Sequence, residues 1–579
     1  MKTLLIMSFC ALLVRASPAT MICALLYGAW AFLKRDERSL SARTFVIAAL
    51  VPLSGVFPDL VAGLLLLTLL SLDLCARCSQ SIRWAVPAIV LTIVWAATRW
   101  VSEFDIAPFV NLFAGRDGPG DSGLTNILRW LRGGPPGYYV AIEDCIRLVC
   151  IVSLGTVLSG ARGATFARGL IVGGSLCAVC ALVEWFAPQT FEMVRPPQLF
   201  WKGIDRMSGL ATDPNALGVF VGALIPIAYA QFKGRSWPVI ALLSVGGIYS
   251  GSRSFFLLPV VTAGYVVWRR KGLGFAILSV GTIATFSLIL IASSSLLPHP
   301  PSGLLRLRES LDPTRIAATF ESRTIFTRLC LEAFWMSPLV GVGLGQFDEY
   351  VVPLSHSLNL GTGLWRDGAT SVYLEILCEL GVVGVLMFLT VALSVRRAEG
   401  ADVWYRGLGV AVLVVLAVVP HTNFPEGVSL AGLLLAQTVT PRFQSCRPLH
   451  LASAAASLLV PFLYAPNATY GFYPWEQNER GYIRWTAAES AGVFSCNDAP
   501  ELSLLNASPV AQDIEVRTAS GSQLQTLQQG ESLAIPLPCK EQRASYLLNV
   551  SPGFTPSKYG FRGDDRLLGV RQLSPKPIL

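Results

Sequence analysis

The sequence predicts an all-α polytopic membrane protein, of about 12–15 transmembrane helices, followed by a small β-sandwich-like extramembrane domain. Three observations carry this expectation. Of 579 residues 53% are hydrophobic and only 14% charged, against about 25% charged in an average soluble domain. The apolar residues are gathered into runs such as Leu60 to Leu74, Leu273 to Leu296 and Gly407 to Val419, separated by short basic or Pro/Gly-rich stretches. Beyond residue 465 the pattern changes to short stretches alternating at period two, as in Glu501 to Leu505, Asp513 to Arg517 and Ser532 to Leu537.

Backbone in lipid must satisfy its own hydrogen bonds, so long apolar runs without strand alternation predict helices. The expected spans are Leu4 to Val14, Ala19 to Leu33, Thr44 to Phe57, Leu60 to Leu74, Trp84 to Thr98, Tyr138 to Leu158, Leu170 to Ala187 and Ala216 to Ala230. They continue with Val239 to Tyr249, Phe255 to Val267, Leu273 to Leu296, Ser371 to Val395, Gly407 to Val419, Val428 to Val439 and Leu451 to Tyr464. The first run, with Lys2 ahead of it and small residues Ala16 to Ala19 after it, reads equally as a cleaved signal peptide.

A net charge of +8 raises the question of nucleic acid, and the placement of the charge answers it. Lys and Arg recur between alternate runs: Lys34 to Arg43, Arg77 and Arg83, Arg162 and Arg168, Lys233 and Arg235, Arg269 to Lys271, Arg396 to Arg406, Arg442 and Arg447. Cytoplasmic loops are enriched in Lys and Arg, so these stretches are assigned inside and no nucleic-acid partner is expected. The remaining connections then face outward. Three are long, Trp100 to Gly137, Pro188 to Asn215 and Pro298 to Thr370, and the tail joins them outside. The tail opens on Tyr470, Phe472, Tyr473 and Trp475 and has the length of a small domain; sugar binding and a packing or docking role are both open to it.

Most of the 13 cysteines lie in apolar runs and read as small hydrophobes. The pairs Cys75/Cys78 and Cys177/Cys180 lack partners for a zinc site. A disulfide between Cys496 and Cys539 is open if the tail faces an oxidising compartment. No cofactor and no metal are expected.

Positive charge on the outer side runs against the sorting bias and suggests an anionic ligand there. Arg195, Lys202 and Arg206 precede a span, the last in Arg206-Met-Ser-Gly-Leu-Ala-Thr-Asp-Pro-Asn215. Arg253 sits in the outward turn Gly251-Ser-Arg253. In the loop from Pro298, residues Glu321 to Met336 have helical spacing and carry Arg323 and Arg328; Pro338-Leu-Val-Gly-Val-Gly343 follows, then Arg366, Asp367 and the span that starts Ser371-Val-Tyr-Leu-Glu375. The glycine run lacks the Lys-Ser/Thr ending of a nucleotide loop and reads as a tight turn. Arginine offers a rigid fork of donors that fits phosphate oxygens; snorkelling and structural ion pairing are the bland readings for any one of them.

These pieces, in this order, resemble the O-antigen ligase and polymerase superfamily of bacterial glycan-assembly proteins, over about Arg206 to Gly384. The resemblance lies in Arg206-x-Ser-Gly with Asp-Pro-Asn215, Gly251-Ser-Arg253, Arg323 with Pro338-Leu-Val-Gly-Val-Gly343, and Tyr373-Leu-Glu-Ile-Leu-Cys-Glu379-Leu-Gly381. It implies a bacterial inner-membrane domain over residues 1–465, with a large periplasmic loop 298–370; the alternation of basic segments then makes the β-rich domain over 466–579 periplasmic. It implies a metal-independent glycosyltransferase that takes a glycan from undecaprenyl diphosphate and passes it to a lipid, glycan or protein acceptor, as ligase or as polymerase. Arg206, Arg253 and Arg323, with Arg328 and Arg366 nearby in sequence, are the expected substrate-binding residues. Relatives commonly carry a His where Thr370 stands; His356 and Asp367 are the candidate bases by location. A transporter of lipid-linked glycan is the other reading, with Glu143, Asp144, Arg147 and Glu184 inside expected spans as its markers.

Overall fold

The structure is a computed structural model that describes residues 18–56, 62–77, 136–192, 206–294, 301–344, 371–417, 424–441 and most of 469–574, apart from a few positions inside these ranges, with isolated residues elsewhere. It is mostly helical, with a C-terminal region of sheet. Of the expected span Leu4 to Val14 only Leu5, Ile6, Ser8, Phe9 and Leu12 are described, as helix; Trp84 to Thr98, apart from Ile89, and Leu451 to Tyr464 lie outside the described residues.

The other expected spans all fall on helices. In order these are α1 Pro18–Leu33, α2 Glu37–Leu50, α3 Ala62–Arg77, α4 Pro136–Val157, α5 Ala161–Phe186, α6 Pro188–Glu192, α7 Pro214–Phe232 and α8 Trp237–Ser250. Then come α9 Arg253–Lys271, α10 Leu273–Ser294, α11 Ser302–Glu309, α12 Pro313–Met336, α13 Val372–Leu393, α14 Val403–Leu416 and α15 Pro425–Thr438. Among the described residues, three stretches are long and apolar enough to cross a membrane by themselves: Ala161–Phe186, Pro214–Arg235 and Val372–Thr390. Large apolar side chains stay exposed on several helices, among them Leu25, Leu26, Phe186, Ile277, Leu278 and Leu386.

Helix ends are written locally. Asp213 caps α7 by accepting from Ala216 N at 2.7 Å, with Pro214 in the first helical position where a missing N–H costs nothing. Gly251, with φ 64°, is the left-handed residue that closes α8 and lets α9 start two residues later. Helix contacts rely on small residues. Gly169 and Gly173 of α5, four apart and so on one face, lie against the carbonyls of Phe45 and Ala49 of α2; a Cβ at either would collide with that oxygen.

The charges inside expected spans close on themselves. Arg147 of α4 bonds Glu143 at 3.1 Å and also Asp144, both within its own helix. Arg43 pairs with Asp73 at 2.8 Å, and Tyr27 donates to the same carboxylate. Cys177 and Cys180 are both free thiols, and Cys177 donates to Pro52 O at 3.1 Å; Cys78 and Cys496 lie outside the described residues.

The C-terminal strands are antiparallel and joined in one hydrogen-bonded sheet, in which β3 pairs with β5 beside the main path. Numbered after two short strands, β1 Val395–Arg397 and β2 Val439–Pro441, they run from β3 Thr469–Phe472 through the long β5 Gly481–Ser495 to β12 Arg571–Ser574. The three stretches whose alternation predicts strands are Glu501–Leu505, Gln512–Thr518 and Ser532–Pro536 in the structure. Their inward residues Leu502, Leu504, Ile514, Val516 and Ile535 meet Leu548 and Val550 in one core, separate from that of the helices.

Candidate functional site

The stretch from Arg206 to Asn215 is irregular, so its backbone groups need partners outside itself. Two carboxylates and one guanidinium supply them. Glu184 of α5 accepts from the N–H groups of Ser208 and Gly209 at 2.9 and 2.7 Å. Glu426, in the first turn of α15, accepts from Thr212 N at 3.0 Å and from its hydroxyl at 3.1 Å. The buried Arg195 donates to Ser208 Oγ, Gly209 O, Ala211 O and Thr212 O at 2.7 to 3.0 Å. Arg195 therefore builds the loop and has its donors turned on protein carbonyls, and Glu184 is an anchor for the same loop.

The loop in turn places Arg206 against the α8–α9 turn. Its Nε donates to Ser250 O at 2.9 Å and its Nη2 to Asn215 Oδ1 at 2.6 Å, while Met207 N bonds Tyr249 O at 3.1 Å. Arg253 is the first residue of α9, whose N-cap, Ser252, makes no side-chain capping bond. The Arg253 Nε is buried and has no hydrogen-bond partner among the described residues. The positive end of a helix dipole and a guanidinium nitrogen without a partner among the described residues together favour an anion.

The electrostatics tie four arginines to this point. Burial, then the charges of Arg306 and Arg253, push Arg206 down to about 9, with Asp213 opposing. Burial and Arg253 lower Arg306, which Glu309 partly offsets. Burial and Arg253 also lower Arg323, on α12. Arg253 thus exerts its charge on Arg206, Arg306 and Arg323, of which the sequence singles out Arg206 and Arg323. Arg306, on α11, was not singled out by the sequence, where it stands with Arg308 in a short amphipathic stretch outside every motif. Arg328 is five residues beyond Arg323, about 140° round the helix, and exposed. Arg366, His356, Asp367 and Thr370 lie outside the described residues.

The last two motifs lock together. Helix α13 breaks at Gly381, at φ 63° and ψ −164°, a backbone region open essentially to glycine alone. The stretch Pro338–Gly343 enters this break and satisfies both of its ends. Val342 N and Gly343 N donate to the carbonyls of Cys378 and Glu379 at 2.9 and 3.0 Å; Val382 N and Val383 N donate to those of Pro338 and Leu339 at 2.9 and 3.0 Å. Glu379 also accepts from Phe347 N at 3.1 Å. Gly341 lies so close to Glu379 that a Cβ would overlap its backbone. Buried Phe326, Leu329, Cys330 and Ala333 of α12 then pack with Val342, Phe347 and Cys378, which fixes the helix that carries Arg323.

Chemically, such a site can hold a polyanion in a partly dehydrated pocket and stabilise charge that develops on it. Among the described residues no three His, Cys, Asp or Glu side chains converge as metal ligands.

No curated protein matches the chain. Residues 238–389 match the family model described as O-antigen ligase, a stretch that runs from α8 to α13 and includes Arg253, Arg306 and Arg323 but begins after Arg206. This match supports the resemblance of the segment 238–389 to the O-antigen ligase superfamily, a bacterial inner-membrane family of glycan assembly.

Proposed function

We propose that this protein is a polytopic inner-membrane glycosyltransferase that takes a glycan from undecaprenyl diphosphate at the periplasmic face. The observation that carries the reading is the convergence of Arg206, Arg253 and Arg323 on a helix N-terminus, with the Arg253 Nε unpartnered. In the reaction the bond between the anomeric carbon and the diphosphate oxygen breaks, and the electron pair leaves with the lipid diphosphate. The acceptor hydroxyl oxygen forms the new bond to that carbon, and its proton passes to a base, for which His356 and Asp367 are the candidates. Arginine forks placed on the leaving diphosphate stabilise charge that grows in the transition state, and no metal is required for that role.

The periplasmic placement is supported by charge at the two ends of one helix. Arg253 starts α9 and Arg269, Arg270 and Lys271 end it, about 27 Å away at 1.5 Å per residue, close to the hydrocarbon thickness of a bilayer. If the basic triplet is cytoplasmic, the arginine site opens on the other side. The transporter reading loses its markers, since Glu143, Asp144 and Arg147 pair within α4 and Glu184 holds the Arg206 loop.

The test is transfer by the purified protein from a lipid-diphosphate-linked glycan to an acceptor. Turnover with release of lipid diphosphate is expected; movement of intact donor across vesicles without cleavage would replace the enzyme by a carrier. In a deletion strain, loss of all attachment with lipid-linked polymer accumulating indicates ligase, and a single retained unit indicates polymerase.

A further inference from the structure

The path of the C-terminal sheet ends on two strands of different kinds. At one end β9, Ser532–Pro536, pairs with Glu501–Leu505 and closes on Pro536, which has no N–H to offer a further strand. At the other end β8, Gly521–Leu527, pairs with β7, Gln512–Thr518, residue for residue without a bulge, and among the described strands with no other. Two side-chain bonds hold β8 on its neighbour: Ser522 donates to Glu515 at 2.9 Å and Thr526 to Asp513 at 2.6 Å. Residues 521–526 are all exposed, and Leu524 in their midst is 72% exposed. In an antiparallel pair every second residue turns its N–H and C=O away from the partner strand, so the outer edge of β8 is a regular row of donors and acceptors. Natural sheets guard such an edge with Lys, Pro, a bulge or a very short strand. Strand β8 has no charged residue, no proline and no bulge.

We infer that β8 is the docking edge for a second copy of this chain, joined strand to strand and antiparallel about a two-fold axis at Leu524. The sequence of the strand singles out that occupant. Ser522-Gln523-Leu524-Gln525-Thr526 reads nearly the same in both directions, and a two-fold axis sets each position against its mirror position in the other copy. Leu524 then faces the partner's Leu524, Gln523 the partner's Gln525 and Ser522 the partner's Thr526. These are apolar, amide and hydroxyl pairs, the cross-strand matches that stabilise an antiparallel ladder, and the strand carries no charge to repel its copy. An unrelated extended peptide gains nothing from that symmetry. A strand pair of this length falls short of the roughly 1,000 Å² that a stable interface in solution buries. Copies anchored in one bilayer meet at a raised local concentration and in one orientation, related by an axis along its normal, which favours a contact of this size.

The test is disulfide cross-linking of the full-length protein in its membrane, with the unaltered chain and its own 13 cysteines as background. Residue 524 lies on the axis, so Leu524→Cys is expected to shift most of the chain to a covalent dimer under mild oxidation. Ser522→Cys alone is expected to stay at background, because the two copies of that residue stand four positions apart along the strands, about 13 Å, beyond the roughly 7 Å that a disulfide spans. Ser522→Cys mixed with Thr526→Cys is expected to cross-link. Energy transfer between two-colour-labelled copies in liposomes reads the reversible contact. It is expected to fall to the level of a random mixture in Leu524→Lys, which sets two ammonium groups against each other, and to stay parental in Ser532→Lys on the opposite edge strand. No dimer from Leu524→Cys, equal dimer from positions 522, 524 and 526 taken singly, or parental energy transfer in Leu524→Lys would each overturn the pairing. A cross-linked product that is not twice the mass of the chain would put another polypeptide on this edge instead of a second copy.

Discussion

Two buried arginines eleven residues apart do opposite jobs, and only their partners tell them apart. Arg206 stands among other cations, whereas Arg195 donates to three backbone carbonyls and one hydroxyl of the loop. Arg253→Ala or Arg323→Ala should lower kcat/KM by about 100-fold or more, the scale of losing one preorganised charge-stabilising donor, with normal protein level in the membrane. Lys at either position should rescue poorly, because an ammonium lacks the paired donors. The sequence alone makes Arg195 the mild control; the structure makes it a folding residue. Arg195→Ala should cost on the order of 3 kcal/mol, since several buried carbonyls lose their donor, and should show as lower Tm or lost protein, measured by thermal unfolding in detergent. The alkaline limb is a second residue-scale expectation. Arg206 must be protonated to hold an anion, and in the empty site it loses its proton as pH rises through about 9. A bound diphosphate favours the charged form and moves that loss upward. Thus kcat/KM should fall above about pH 9 while kcat holds to higher pH, since the two report the free and the bound enzyme.

At the scale of the element, hydropathy and charge were enough to place helices α1 to α5, α7 to α10 and α13 to α15, because burial in lipid is a one-dimensional demand on the chain. The break in α13 was not legible. The expected span runs unbroken from Ser371 to Val395, and Gly381 in an apolar run looks like any small packing residue. What makes it a break is the stretch Pro338–Gly343, some forty residues away, whose donors and acceptors replace the missing helical bonds. The glycine run is a tight turn as expected, but its partner could be known only from the fold. Arg306 escaped for the same reason: its neighbours depend on α11 packing across α8 and α9, which the sequence does not show. Gly381→Ala should be severe, since a Cβ there would run into the Leu339 carbonyl and the backbone region is closed to other residues. Loss of folded protein is expected, measured as the monodisperse fraction on size exclusion, while Gly409→Ala, where the added Cβ meets nothing within 4 Å, should be silent.

For the molecule as a whole, the alternation of basic segments carries an orientation that the coordinates of a helix bundle do not. A reporter fused near Gln572 should give a periplasmic signal, because the sequence expects one span, Leu451 to Tyr464, between the last basic segment and the tail. A cytoplasmic signal would invert the bundle and take the arginine site away from its donor. The tail's strands were legible because alternation marks a half-buried sheet, and Leu502, Leu504, Ile514 and Val516 point inward as the period requires. Its sheet order was not, since the pairing of β5 with both Arg543–Ser551 and β12 joins residues far apart in the chain.

The four hydrogen bonds that splice Pro338–Gly343 into α13 have a mechanical meaning. A helix cut at one peptide is ordinarily a hinge, but here both cut ends are tied to the same short strap, so the two halves and the strap form a single lever. Because α12 packs on that lever, a tilt of α13 would carry Arg323 with it. Such a unit opens all at once or not at all. In hydrogen–deuterium exchange the amides of Val342, Gly343, Val382 and Val383 should therefore share one protection level and lose it together in Gly341→Ala; independent exchange of the strap and the helix would mean that the joint bends.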